Sequence, residues 1–182
     1  MAIVSIEDLH YTYDDYKQWE GDWELIEGIP LAMSPAPTLT HQAIAGEILR
    51  LLGNQLEECQ LCQVLGEVDY KVDEETIVRP DVVVTCGEQG EAYLTKAPEL
   101  IVEVVSPSSA KRDEVFKFEL YEKERVTYYL LIYPDDLKAK LFKLDGRSYL
   151  KQGDFFTETV SFEGLPCELA LDFKKVFQRF RK

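Results

Sequence analysis

Arg79-Pro80-Asp81-Val82-Val83-Val84-Thr85 and Leu100-Ile101-Val102-Glu103-Val104-Val105 decide the fold. Both runs are rich in valine and isoleucine, the composition of strands buried on two faces. Each carries one carboxylate in an otherwise apolar setting. Because side chains alternate along a strand, Asp81 shares a face with Val83 and Thr85, and Glu103 with Ile101 and Val105. A carboxylate buried there is costly unless it is paired, protonated or bound to a metal. If the two strands are neighbours, Asp81 and Glu103 converge at their ends. Two carboxylates with a carbonyl and waters suit a hard divalent ion such as Mg²⁺ or Mn²⁺. On spacing alone, ion pairs to Arg79 or Lys71 account for the two acids equally well.

Working outward, Ser106-Pro107-Ser108-Ser109 forms a short turn into a helix predicted over 109–125. Asp113, Lys117 and Tyr121 lie four apart and make one polar stripe on it. Such a pair is ordinarily a solvated helix contact, and its interest here is the short link back to Glu103. Upstream, Ile44, Ile48, Leu51, Leu52 and Leu56 give one apolar face to a helix over 39–58, with Thr40 as the expected N-cap. Strands are expected around 61–72, 76–85, 99–105, 128–133 and 138–144. Asp145-Gly146 is a hairpin signal, leading to a strand near 147–151, another near 155–160 and a helix at 172–181. The first twenty residues read as a short helix and connector, 23–31 as two strands bent at Gly28, and 34–37 as a loop. The sum is a single α+β or α/β domain over 1–182. Its mixed central sheet is flanked by helices, with hairpin strands added at the N- and C-terminal ends.

Hydrophobic residues at 46% and charged residues at 30% mark a globular chain. No apolar run approaches the roughly 20 residues that span a bilayer, so a membrane is not an expected partner. The N-terminus lacks the features of a signal peptide, and the expected location is cytoplasmic. Cys59, Cys62, Cys86 and Cys167 do not suggest a disulfide framework in this context. Cys59-x-x-Cys62 has no second pair at zinc-ribbon spacing and reads as structural, at a helix-to-strand junction. The formal net charge is −14, the wrong sign for a general nucleic-acid binder. It is uneven: residues 1–30 hold eight acids and one base, and 172–182 hold five bases and one acid. A remote acidic face is screened within about 8 Å at physiological salt and need not govern a cleft.

The order and spacing of these segments resemble a known family. Arg79-Pro80-Asp81-Val82-Val83-Val84, then Ala97-Pro98-Glu99-Leu100-Ile101-Val102-Glu103-Val104-Val105-Ser106-Pro107-Ser108-Ser109, are similar to the putative restriction endonuclease domain family. That family belongs to the PD-(D/E)XK, or restriction endonuclease-like, nuclease superfamily. Asp113-x-x-x-Lys117-x-x-x-Tyr121 and Tyr128-Tyr129-Leu130-Leu131-Ile132-Tyr133-Pro134 fit as well. So do Trp23-Glu24-Leu25-Ile26-Glu27-Gly28, Met33-Ser34-Pro35-Ala36-Pro37 and His41. The resemblance covers about residues 20–145.

It implies that Asp81 and Glu103 are metal-binding carboxylates. The superfamily's lysine, two residues after the glutamate, would fall at Val105 and is absent. The family often supplies it from the following helix, here at Lys117, with Lys96 and Lys71 as competitors. Glu24 and Glu47 are candidates to complete the acidic set, Asp113 and Tyr121 support it, and His41 matches a family histidine that could equally cap the helix or hold the loop. The implied function is a Mg²⁺-dependent endonuclease, a hydrolase of phosphodiester bonds in DNA. Binding to nucleic acid is expected to be weak and salt-dependent, carried by Lys111, Arg112 and the Lys174–Lys182 segment. Double-strand cutting needs two sites, which makes a homodimer an expectation without a residue to carry it. The rival reading is a catalytically silent relative that keeps the fold as a binding or assembly module. The missing lysine at position 105 and the net charge favour that rival.

Overall fold

The computed structural model describes residues 10–33 and 37–181. The chain runs α1 (Tyr13–Tyr16), β1 (Trp23–Ile26), β2 (Ile29–Ala32), α2 (Leu39–Gln55), β3 (Cys62–Gly66), β4 (Tyr70–Lys71), β5 (Ile77–Val78), β6 (Val82–Cys86) and β7 (Leu100–Val104). A π-helical turn at Arg112–Phe116 then enters α3 (Lys117–Lys123). The remainder is β8 (Tyr128–Tyr133), β9 (Lys138–Asp145), β10 (Ser148–Phe155), β11 (Thr159–Ser161), β12 (Ala170–Asp172) and α4 (Phe173–Phe177).

The central six-stranded sheet has the order β10-β9-β8-β7-β6-β3, mixed because β7 and β8 run parallel across the α3 connection. Its two faces follow the alternation of the valine-rich strands. Val82, Val84, Leu100, Val102 and Val104 pack with Ile44, Ile48 and Leu52 of α2 and with Phe173 and Phe177 of α4. Ile44, Ile48 and Leu52 are fully buried, and each contributes about 1.5–3 kcal/mol. Val83, Ile101, Val105, Tyr129 and Leu131 pack with Tyr121 on the other face. The fold is therefore the expected α+β arrangement with a mixed sheet between helices.

Two expected strands are each divided, and the division builds the site. The 61–72 segment breaks into β3 and β4 at Glu67, whose φ is +51°. The 76–85 segment breaks into β5 and β6 at Arg79-Pro80-Asp81, where Pro80 has no N–H to give a ladder. β4 and β5 join a second sheet, β2-β1-β5-β4. The chain thus leaves the small sheet and enters the central one at Asp81. In the β1–β2 hairpin the turn residues Glu27 and Gly28 both have positive φ, +50° and +76°, as a two-residue turn of this kind requires.

Other boundaries differ for local reasons. The cap of α2 is Thr38, not Thr40: its side chain accepts the His41 N–H at 3.2 Å, two residues earlier and directly after Pro37. The helix expected over 172–181 is α4 plus a 3₁₀ turn at Gln178–Phe180, and Asp172 caps it. Strand β12, which pairs with β11, carried no sequence signal. Ile6 and Leu9 of the expected N-terminal helix, and Ser34, Pro35 and Ala36 of the expected loop, lie outside the described residues. No helix among the described residues is long and apolar enough to cross a membrane.

The cysteines pair, contrary to expectation, as Cys59–Cys167 and Cys62–Cys86. Cys62 and Cys86 are cross-strand partners of β3 and β6. The C-terminal segment folds back on the end of α2, where Gln55 exchanges two hydrogen bonds with the Ala170 backbone, and so carries Cys167 to Cys59. Both pairings depend on topology that spacing along the chain does not display.

Candidate active site

β6 and β7 pair antiparallel with Val82 opposite Val102. One step further along this register sets Asp81 opposite Glu103, on the sheet face covered by α3. Asp81 Oδ2 accepts the Val104 N–H at 2.6 Å and lies 3.2 Å from His41 Nε2 at the start of α2. Glu103 is 3% exposed, and its Oε1 accepts from Lys117 Nζ at 2.8 Å and from the Tyr121 hydroxyl at 3.1 Å.

Glu24 arrives from β1 of the small sheet and is fully buried. Its Oε1 accepts the Arg79 N–H at 2.9 Å and sits 2.8 Å from Lys117 Nζ. Asp113 Oδ1 stands 3.9 Å from the same ammonium. The π-helical turn lets neighbouring residues 112 and 113 both reach this group; such turns recur at functional sites. Arg112 Nε lies 3.3 Å from Glu24 Oε2 and 3.8 Å from Asp113 Oδ1. The Tyr129 hydroxyl donates to the Asp113 carbonyl at 2.8 Å and holds the turn against β8.

The charges set the protonation. Burial pushes Lys117 down, but Glu103, Glu24 and Asp113 outweigh it and hold the ammonium above its ordinary range. Burial drives Glu103 well above the usual carboxylate range; Lys117 opposes this, while Asp113, Asp81 and Glu24 add to it. Burial also raises Asp113. Glu24 is lowered, because Lys117 and Arg112 overcome its burial. His41 is raised, since Asp81 overcomes the desolvation.

A cleft of about 400 Å³ opens onto His41, Asp81, Glu103, Arg112, Asp113 and Lys117. In the cluster at its floor, Glu24, Asp81, Glu103 and Asp113 gather around Arg112 and Lys117. Glu24 Oε2 and Asp113 Oδ1 are buried with no hydrogen-bond partner among the described residues, as are Arg112 Nε and His41 Nδ1. The Arg112–Glu24 pair is within ion-pair range but out of line for a hydrogen bond. The second oxygens of Asp81 and Glu103 accept no protein hydrogen bond among the described residues. An oxygen-rich set with excess negative charge fits a hard divalent cation.

Asp81, Glu103, Lys117, Glu24, Asp113, Tyr121 and His41 thus come together from five segments of chain. Glu47 does not: half-buried on a flank of α2, it pairs with Arg50 at 2.6 Å, and the helical spacing from His41 carries it away from the cleft. Lys96 donates to the Cys86 carbonyl at the other end of β6, and Lys71 pairs with Glu74. Arg112 belongs to the cluster, whereas its position beside Lys111 gave it the look of a surface base. The signal that could have found it is its adjacency to Asp113.

The architecture is thus a mixed sheet with paired strand-end carboxylates and a buried helix lysine. The model of the Uma2 family, described as "Putative restriction endonuclease", matches residues 13–174, and the chain belongs to this family. Among solved structures, it is similar to one described as "a putative nuclease belonging to DUF820" from Anabaena variabilis ATCC 29413. That structure shares 18% identity with a TM-score of 0.74, over 92% of this chain and 97% of the other. The likeness shows the fold. No curated protein matches the chain.

Proposed function

We propose that the protein is a divalent-metal-dependent endonuclease that hydrolyses phosphodiester bonds in DNA. The observation that carries this reading is the placement of Asp81 opposite Glu103, with a buried lysine 2.8 Å from Glu103 at the floor of an open cleft. Asp81 and Glu103 would hold Mg²⁺ or Mn²⁺. Such an ion lowers the pKa of water and offsets charge on the phosphate.

The chain's own groups then divide the remaining work. Lys117 stays charged, so it cannot take a proton from water at neutral pH. It holds Glu103 and Glu24 in place and supplies fixed positive charge close to a bound phosphate. The Val104 N–H and His41 fix one oxygen of Asp81 and leave the other directed elsewhere. Arg112, partly exposed at the cleft, can offer its remaining N–H groups to a phosphate oxygen. Glu24 and Asp113 tie Lys117 and Arg112 to the floor. Binding to DNA is weak and salt-dependent, because phosphate contacts release counterions and the net charge of −14 opposes them. Cutting both strands would call for two chains.

Incubation of supercoiled plasmid with Mn²⁺, with a chelator control, tests the reading. The account expects nicking by the wild type that Asp81→Asn and Glu103→Gln each abolish. Absence of cleavage under metal that demonstrably binds would favour the second reading, a silent nuclease-fold binding or assembly module. The observation on its side is that the Lys117 ammonium is already engaged by carboxylates.

A further inference from the structure

Four cysteines meet at the end of β6 away from Asp81. Cys62 opens β3 opposite Cys86, the last residue of β6. Cys59 lies three residues before Cys62, in the connection after α2, and Cys167 arrives from the segment before β12. The Sγ atoms of Cys59, Cys62 and Cys167 all lie within 4.8 Å of one another, and Cys86 is bonded to Cys62. Two disulfides that served only to cross-link the chain would need no common location. Here both pairs occupy one, gathered from three separate stretches. Cys62 and Cys86 are buried, Cys59 and Cys167 are half-buried, and all four pack with the apolar core around α2.

We propose that in its thiol form this group is a structural zinc site. Zn²⁺ binds four thiolates tetrahedrally at about 2.3 Å, which places the sulfurs about 3.8 Å apart. The Cys59, Cys62 and Cys167 sulfurs lie within 4.8 Å of one another; opening both disulfides lets the Cys59 and Cys167 sulfurs separate to that spacing and frees Cys86 to turn in from the end of β6 as the fourth ligand. Cys59-x-x-Cys62 supplies two ligands from one turn, the usual arrangement at one half of such a site. Soft thiolates select zinc over the magnesium-type ions that suit carboxylates.

The two disulfides are the oxidised alternative. Each is opened by a dithiol reductant: one S–S bond breaks, two electrons and two protons arrive, and the reductant leaves as its own disulfide. Zinc then displaces four thiol protons, and the ZnS₄ group carries two negative charges. Asp81 and Cys86 are separated by the length of β6, about 17 Å at about 3.4 Å per residue. The site therefore fastens the α2–β3 corner and the C-terminal segment to the sheet and takes no part in chemistry at the cleft.

Anaerobic titration of the dithiol-reduced, desalted chain with Co²⁺ tests the proposal. The expected result is one Co²⁺ per chain, with sulfur-to-cobalt charge-transfer absorption and tetrahedral visible bands, displaced by one equivalent of Zn²⁺ and untouched by excess Mg²⁺. The band is expected to persist in Asp81→Asn and to disappear in the Cys59→Ser, Cys167→Ser double variant. No thiolate–cobalt absorption in the reduced wild type, or an unchanged spectrum in the double variant, would overturn the site and leave the cysteines as cross-links alone. The wild-type titration stands by itself if the double variant fails to fold.

Discussion

Asp81 and Cys86 stand at opposite ends of β6, and their surroundings differ in kind. At the Asp81 end, groups converge from β1, β7, α2 and the π turn leading into α3, and almost every one is an acid or a base. At the Cys86 end, four sulfurs lie against an apolar core. Buried charges can persist only by mutual pairing, because each alone carries a desolvation cost of several kcal/mol. Sulfurs carry little such cost and can sit among aliphatic side chains. The carboxylate end is consequently a tense arrangement in which removal of one member exposes the rest. The thiol end is a fastening whose loss is local.

The largest expected effect follows from that contrast. Lys117→Met removes the cation between Glu103 and Glu24 and leaves both buried without it. The expected loss is about 3–5 kcal/mol of stability at neutral pH, together with all nicking. Glu24→Gln added to Lys117→Met is expected to recover part of the stability and none of the activity. Urea unfolding measures both. A cost below about 1 kcal/mol for Lys117→Met would break the comparison.

Next comes the response to metal. At about 100 times its dissociation constant, Mn²⁺ stabilises the wild type by roughly 2.7 kcal/mol. Asp81→Asn and Glu103→Gln are expected to abolish this shift in melting temperature. The Cys59→Ser, Cys167→Ser double variant, measured in reductant, is expected to keep it. Loss of the Mn²⁺ response in the cysteine variant would show that the two ends are not independent.

The pH dependence is smaller and has a definite sign. Glu103 is raised in the folded chain by burial and by Asp113, Asp81 and Glu24, against the pull of Lys117. The unfolded chain therefore gives up this proton first as pH rises. The contribution of Glu103 to the stability of the metal-free protein falls from about pH 4.3 upward, until pH passes the folded value. Across that range the melting temperature of the wild type is expected to fall relative to that of Glu103→Gln. Protons also compete with the cation, so apparent Mn²⁺ affinity falls as pH is lowered, by at most about tenfold per unit for one proton. The smallest effect is at Glu47. Glu47→Gln is expected to leave melting temperature, Mn²⁺ response and nicking unchanged, since its partner Arg50 lies on the outer side of α2.

The legible parts of this molecule were those whose signal is local. The valine and isoleucine runs of β6 and β7 and the apolar stripe of α2 announce themselves by period and composition. Asp81 and Glu103 were visible as acids in apolar strands, and Lys117 through the spacing of a resembling family. What was hidden depends on distant chain. Nothing near Glu24 says that β1 will carry it under Lys117. Arg112 follows Lys111 and looks solvated until a π-helical turn swings it inward. Glu47 looked as eligible as Glu24 because both are acids near apolar residues, and only the helix face separates them. Cys167 lies 108 residues from its partner Cys59.

Anomalous diffraction from crystals soaked in Mn²⁺ tests the central claim most directly. The account predicts a peak between the Asp81 and Glu103 carboxylates, within about 2.0–2.6 Å of an oxygen of each. That peak should be absent from Glu103→Gln crystals, with Lys117 still within hydrogen-bonding reach of position 103 in the wild type. Wild-type crystals with Mn²⁺ bound elsewhere, or nowhere, and an ordered Asp81–Glu103–Lys117 cluster would contradict it.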